Sequence, residues 1–161
     1  MKRFGPLRAS GLLIVVALSV AADKRDLGNP ANDPDLAADL TAMLGRWERD
    51  VIGPNGQRIH IEKEVQENRD TVSEFDAAGN VIYSHTATFQ LARSGKARLY
   101  NFANFVVTVG ANPGPRQGGI NSFIYRLDGD AFYEFWGALD GDPAPPHILA
   151  WKRQKPVGEK R

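Results

Sequence analysis

Two periodicities divide the chain. Leu36, Leu40, Met43 and Leu44 recur at helical spacing, and beyond Gly45 the period of apolar positions drops to two. Asp33-Pro34-Asp35 supplies a capping side chain, a proline for the first turn and an early acid, so the spacing predicts one helix over 34–44 with Gly45 as its stop. Alternation then predicts eight strands, at 46–52, 57–66, 71–76, 81–93, 97–109, 121–127, 131–137 and 147–153. Turn signals at Pro54-Asn55-Gly56, Ala78-Gly79-Asn80, Ser94-Gly95-Lys96 and Asp128-Gly129-Asp130 imply hairpins, hence antiparallel neighbours. Gly/Pro-rich loops at 110–119 and 140–146 interrupt this meander.

A meander leaves two open edges, and closing it into a barrel removes both. The expected fold is therefore all-β: an eight-stranded antiparallel up-and-down barrel with one short N-terminal helix as plug or lid. A curved open sheet wrapped round helices is the competing solution, but it needs several N-terminal helices where the sequence offers one. Such a barrel either keeps room for one small ligand or fills that room with side chains. Fourteen of the 15 aromatic residues lie beyond Arg46, which makes the filled interior a serious alternative.

Residues 1–22 stand apart. Lys2, Arg3 and Arg8 precede the apolar run Gly11–Val20, small residues follow at Ala21 and Ala22, and Asp23-Lys24-Arg25-Asp26 ends the hydrophobicity. That order predicts a secretory signal peptide, and the run is shorter than the about 20 residues a spanning helix needs. The expected organisation is a signal peptide at 1–22, a spacer at 23–33, a barrel domain at 34–153 and a polar tail at 154–161. The chain is expected to be secreted or periplasmic, with no membrane span after cleavage. Removing the three bases of the leader leaves 17 basic against 19 acidic residues, a balance of −2. This gives no electrostatic case for nucleic acid as partner. Zero cysteine excludes disulfides, thiolate metal sites and cysteine nucleophiles.

Gly45-Arg46-Trp47 opens the first strand, the hairpin SFIYRLDGD occupies 122–130, and Trp151-Lys152-Arg153 closes the last strand. In these marks the chain resembles lipocalin-like, or calycin, barrels, and among them the small secreted bacterial lipocalin-like domains of unassigned activity. The resemblance implies that Trp47 seals one end of the barrel and that Arg153 lies across its ring, both in a structural role. The disulfide usual in that family has no counterpart here, and the long loop falls between the fifth and sixth strands.

Three histidines carry the only side chains that titrate near neutrality. Parity on 81–91 places Val81, Tyr83, His85, Ala87, Phe89 and Leu91 on the apolar, inward face, so His85 is either a core histidine or a ligand contact. His60, Glu62 and Glu64 share the opposite face from Ile59, Ile61 and Val65, a row on a solvated strand rather than three converging metal ligands. Asp128-Gly129-Asp130 and Asp140-Gly141-Asp142 have the form of turns. Glu134 alternates with Phe132 and Trp136 while Tyr133 and Phe135 take the other face. Both faces are aromatic, and the rarity of buried charge favours Glu134 outward.

The expectation is a non-catalytic protein that binds a small apolar molecule, or a partner, with Tyr83, His85, Phe89, Phe123 and Tyr125 lining a cavity. The rivals are a barrel isomerase or hydrolase using His85 or Glu134 as general acid/base, and a solidly packed envelope module. No motif calls for a cofactor or a metal.

Overall fold

In the computed structural model the described residues are 33–155, apart from 117, 140, 143 and 144. The expected signal peptide, the spacer up to residue 32 and the tail from 156 onward lie outside them, as does part of the 140–146 loop. The elements in chain order are α1 (Pro34–Met43), β1 (Gly45–Ile52), β2 (Arg58–Gln66), β3 (Arg69–Phe75), β4 (Val81–Ser94), β5 (Ala97–Val109), β6 (Gly114–Pro115), β7 (Asn121–Asp128), β8 (Ala131–Trp136) and β9 (His147–Arg153). Eight of the strands close into an antiparallel barrel in the order β1-β2-β3-β4-β5-β7-β8-β9. The two-residue β6 pairs only with Val106 and Val107 of β5. It arises inside the 110–119 loop, where alternation gives no signal, and its Pro115 is tolerated because the strand is an edge.

The closure between the first and last strands is short, consisting of Trp47 opposite Arg153 and Glu48 opposite Lys152. Asp33 caps α1 by accepting from the backbone N–H groups of Asp35 at 3.0 Å and Leu36 at 3.2 Å. The helix ends at Met43, and Leu44 is already extended. Gly45 is thus the first residue of β1 rather than a helix stop. Its φ of +110° suits glycine, and a Cβ there would come within 3.3 Å of the Arg153 guanidinium.

Helix and aromatics together fill one end of the barrel. Leu36, Met43, Trp47, Val65, Leu91, Tyr100, Tyr125 and Phe132 are buried there. Trp47 donates its indole N–H to the Met43 carbonyl at 2.8 Å and meets Phe132 edge to face at 5.6 Å. The Arg153 guanidinium lies 4.1 Å above the Trp47 ring and donates to the carbonyls of Leu44 and Ala42. Asp39 of the helix accepts from Tyr125 Oη at 2.7 Å and from Arg98 Nη1 at 2.6 Å, which pins the plug to β5 and β7. Tyr125→Phe removes one charge-assisted bond at a buried site and is expected to lower stability by about 1.5–3 kcal/mol, read from the denaturant midpoint at constant m-value.

Three irregularities shape the opposite, open end. Register shifts on the β3–β4 ladder at Glu74/Phe75, and on β4–β5 both at Ser84/His85 and across Thr86–Thr88, where Asn104 has a φ of +54°. The last of these places three steps of β5 against two of β4. Phe105 thereby joins the inward side and stacks on His85 at 4.2 Å.

Candidate functional site

The barrel interior is less apolar than its alternating strands suggest. On β2, Ile59, Ile61 and Val65 face inward, and Lys63 shares their parity; it is 4% exposed. Its ammonium sits 5.1–5.7 Å from the ring centroids of Tyr100, Phe123, Phe132 and Trp151. It donates to Glu134 Oε1 in a short contact and lies 3.6 Å from Asp70 Oδ2. Glu134 is 1% exposed, so the outward orientation favoured by the sequence is corrected: the carboxylate points into the barrel. What makes that tolerable is pairing, since its second oxygen accepts from the Trp136 indole at 2.9 Å. Asp70 is also buried and accepts from Tyr100 Oη at 2.8 Å. Burial pushes the Tyr100 phenol well above its ordinary range, and the adjacent Asp70 charge adds to this.

Above this layer lies a cavity of about 140 Å³, lined by the polar side chains Arg49, Lys63, Asp70, Glu74, His85 and Glu134. Its apolar walls are Ile61, Val72, Phe102, Phe123, Trp136, Leu149 and Trp151, completed by Ala87. Arg49 comes from β1, one pleat above Trp47, and its guanidinium stands 4.8 Å from the Trp151 ring. Burial lowers its pKa, opposed by the charges of Glu134 and Glu74.

Five buried side-chain polar atoms among the described residues have no hydrogen-bond partner: Arg49 Nε, Asp70 Oδ1, His85 Nδ1, Asn101 Nδ2 and Trp151 Nε1. Four of the five belong to side chains that line this one cavity. Buried polar groups left without a partner are costly, and here they are concentrated on the side chains around one cavity. The fifth, on Asn101, lies at a different cleft of about 370 Å³, bounded by Leu40, Phe89, Leu91, Phe102 and Ile120.

Of the five residues expected to line a cavity, the structure brings His85 and Phe123 to the barrel cavity and Phe89 to the larger cleft. Tyr83 stands beside His85 at 5.5 Å, and Tyr125 is engaged by Asp39 at the closed end. Sequence reasoning missed Lys63, Asp70, Arg49 and Glu74. For Lys63 the signal was present, since it occupies the position between Ile61 and Val65 on their face. The row His60, Glu62, Glu64 lies on the outer side, where both His60 ring nitrogens face carboxylates, Asp50 at 3.1 Å and Glu62 at 3.4 Å.

His85 is held uncharged. Burial depresses its pKa to about 4, with Asp70 pulling it up and Lys63 pushing it down by smaller amounts. A folded-state value below the unfolded one means the unfolded chain binds the extra proton first as pH falls. The stability due to neutral His85 is therefore complete above about pH 6.5, and it is lost progressively as pH drops from there toward 4. Between pH 7.5 and 4.5, the protein is expected to lose on the order of 2–3 kcal/mol that a His85→Gln variant does not lose. Urea unfolding at the two pH values checks this, and equal pH slopes for the two proteins would contradict it.

Comparison of the chain with protein-family models, with curated proteins and with solved structures yields no match in any of the three.

Proposed function

We propose that the chain is an exported, lipocalin-like binding protein that holds one small molecule inside its barrel without transforming it. The observation that carries this reading is the gathering of four unpartnered buried polar atoms around one cavity whose remaining walls are aromatic and aliphatic. Ligand sites have that composition, an apolar lining with a few convergent polar groups. The closed end supports the family reading, because Trp47 under the Arg153 guanidinium is the arrangement the resemblance implies. Export is supported by the order of charge, apolar run and small residues in 1–22. Binding without turnover fits the polar groups as they stand: Glu134 and Lys63 are committed to each other, Asp70 to Tyr100, and His85 is kept neutral.

The larger cleft carries a second reading. At about 370 Å³, with Leu40, Phe89, Leu91, Phe102 and Ile120 around it, it suits the apolar molecule expected from sequence. Native mass spectrometry of the protein purified from its own compartment tests both. A reproducible additional mass that disappears on denaturation is expected. Its loss in an Arg49→Leu variant places the molecule in the barrel, and its loss only in Leu91→Trp places it in the cleft. A bare protein mass, repeated after soaking with pooled lipids and extracts, would sink the binding reading in favour of a packed structural module.

A further inference from the structure

The barrel cavity also constrains what it can hold. At about 140 Å³ it has roughly the liquid volume of five waters, and it falls below the roughly 300–1,000 Å³ of drug-sized sites. Long acyl chains, sterols and tetrapyrroles do not fit. The unpartnered atoms narrow the choice further. Arg49 Nε and Trp151 Nε1 are donors, Asp70 Oδ1 is an acceptor, and His85 Nδ1 serves as either.

An acceptor-only ligand such as a simple carboxylate leaves Asp70 Oδ1 without a bond. A donor-only ammonium leaves both N–H groups without one, and its charge would meet Arg49 and Lys63. Lys63, Asp70 and Glu134 are buried, while Arg49 and Glu74 both lie partly in solvent, so the lining sets two cations against three carboxylates. A ligand anion would add to that excess of carboxylates, and a ligand cation would compete with Lys63 for the two acids it already faces. The walls are aromatic: Phe123 and Trp136 are tilted rings with centroids 4.7 Å apart, Phe102 meets Trp136 edge to face at 5.6 Å, and Trp151 lies below the Arg49 guanidinium. Such surfaces favour stacking against a planar molecule.

Resting on the binding reading above, we infer the ligand class: a neutral heterocycle of one or two rings with an N–H donor beside a carbonyl or ring-nitrogen acceptor. Lactams and nucleobases have this pattern. The donor edge of the ligand meets Asp70, its acceptor edge meets the Arg49 and Trp151 N–H groups, and its faces lie among the aromatic walls.

Isothermal titration of the purified full chain with a matched panel tests this. The panel comprises 2-pyridone, 2-quinolone, N-methyl-2-quinolone, naphthalene, 2-naphthoate, 2-naphthylmethylammonium and phenylalanine as a zwitterion. One of the two lactams is expected to saturate the protein. N-methylation, which deletes the donor without touching the protein, is expected to weaken binding about tenfold or more. Trp151→Phe, which deletes an acceptor's partner while keeping a ring, is expected to weaken it by a similar factor; unchanged near-UV circular dichroism verifies its fold. Tighter binding of the naphthoate, the ammonium, phenylalanine or naphthalene than of either lactam overturns the assigned class but leaves the binding reading standing. If no probe binds while native mass spectrometry shows a retained molecule of another class, the inference fails alone. If no probe binds and the protein mass is bare, both fail together.

Discussion

Lys63→Met is expected to destabilise the protein by about 3–5 kcal/mol, because it leaves two buried carboxylates, on Glu134 and Asp70, without their shared cation. The methionine is apolar and of similar length, so the packing against Tyr100, Phe123, Phe132 and Trp151 is largely kept, and the loss reports on charge rather than volume. Adding Glu134→Gln is expected to return a large part of that cost. The amide no longer needs a counterion and its oxygen still accepts from the Trp136 indole. The coupling is read from a double-mutant cycle of urea unfolding. A cost below about 1 kcal/mol for the single variant would mean that water, not Lys63, compensates the acids.

Trp47→Ala is expected to cost a further class of interaction, about 3–5 kcal/mol, by opening a cavity at the sealed end of the barrel. Three elements lose contact at once there. The indole no longer ties the last turn of α1 through Met43, Phe132 loses its edge partner, and the Arg153 guanidinium loses the face beneath it. Arg153→Lys is expected to cost less, about 1–2 kcal/mol, because the ammonium keeps the charge but not the planar fork that spans the carbonyls of Leu44 and Ala42. Thermal unfolding of the two variants side by side tests the order. A Trp47→Ala protein as stable as Arg153→Lys would show that the plug is held by the helix alone.

Most of the fold was legible because one face of nearly every strand is buried, which imprints a period of two on the sequence. The helix was legible through its cap at Asp33 and the stripe Leu36, Leu40 and Met43. The charged interior was not, and the reasons differ from residue to residue. Lys63 and Arg49 have inward parity in plain view, but a lysine or arginine on an apolar face is so seldom enclosed that the pattern is discounted. The partner that justifies enclosing Lys63 is Glu134, 71 residues away and across the barrel, and no local spacing reveals such a pairing. Glu134 itself lies in a strand whose two faces are both aromatic, so parity there has no contrast to use. Asp70 belongs to residues that the strand assignment left outside β3. Along β5 the inward set passes from Tyr100 and Phe102 to Phe105 and Val107, a change of phase made at Asn104, whose left-handed backbone no glycine announces.

The junction of β1 with β9 also has a consequence for how the molecule comes into being. Arg153 and Ala42 are 111 residues apart, and the ladder that joins β1 to β9 waits for the last of the described strands to be synthesised. Until β9 emerges, β1 and β8 each present a row of unpaired amides and carbonyls, and the aromatics meant for the interior have no lid. Closure over so long a loop is slow relative to the local hairpins that precede it. A nascent or clipped chain ending before residue 147 is therefore a sticky open sheet, and its aggregation is governed by the absence of one short strand, β9.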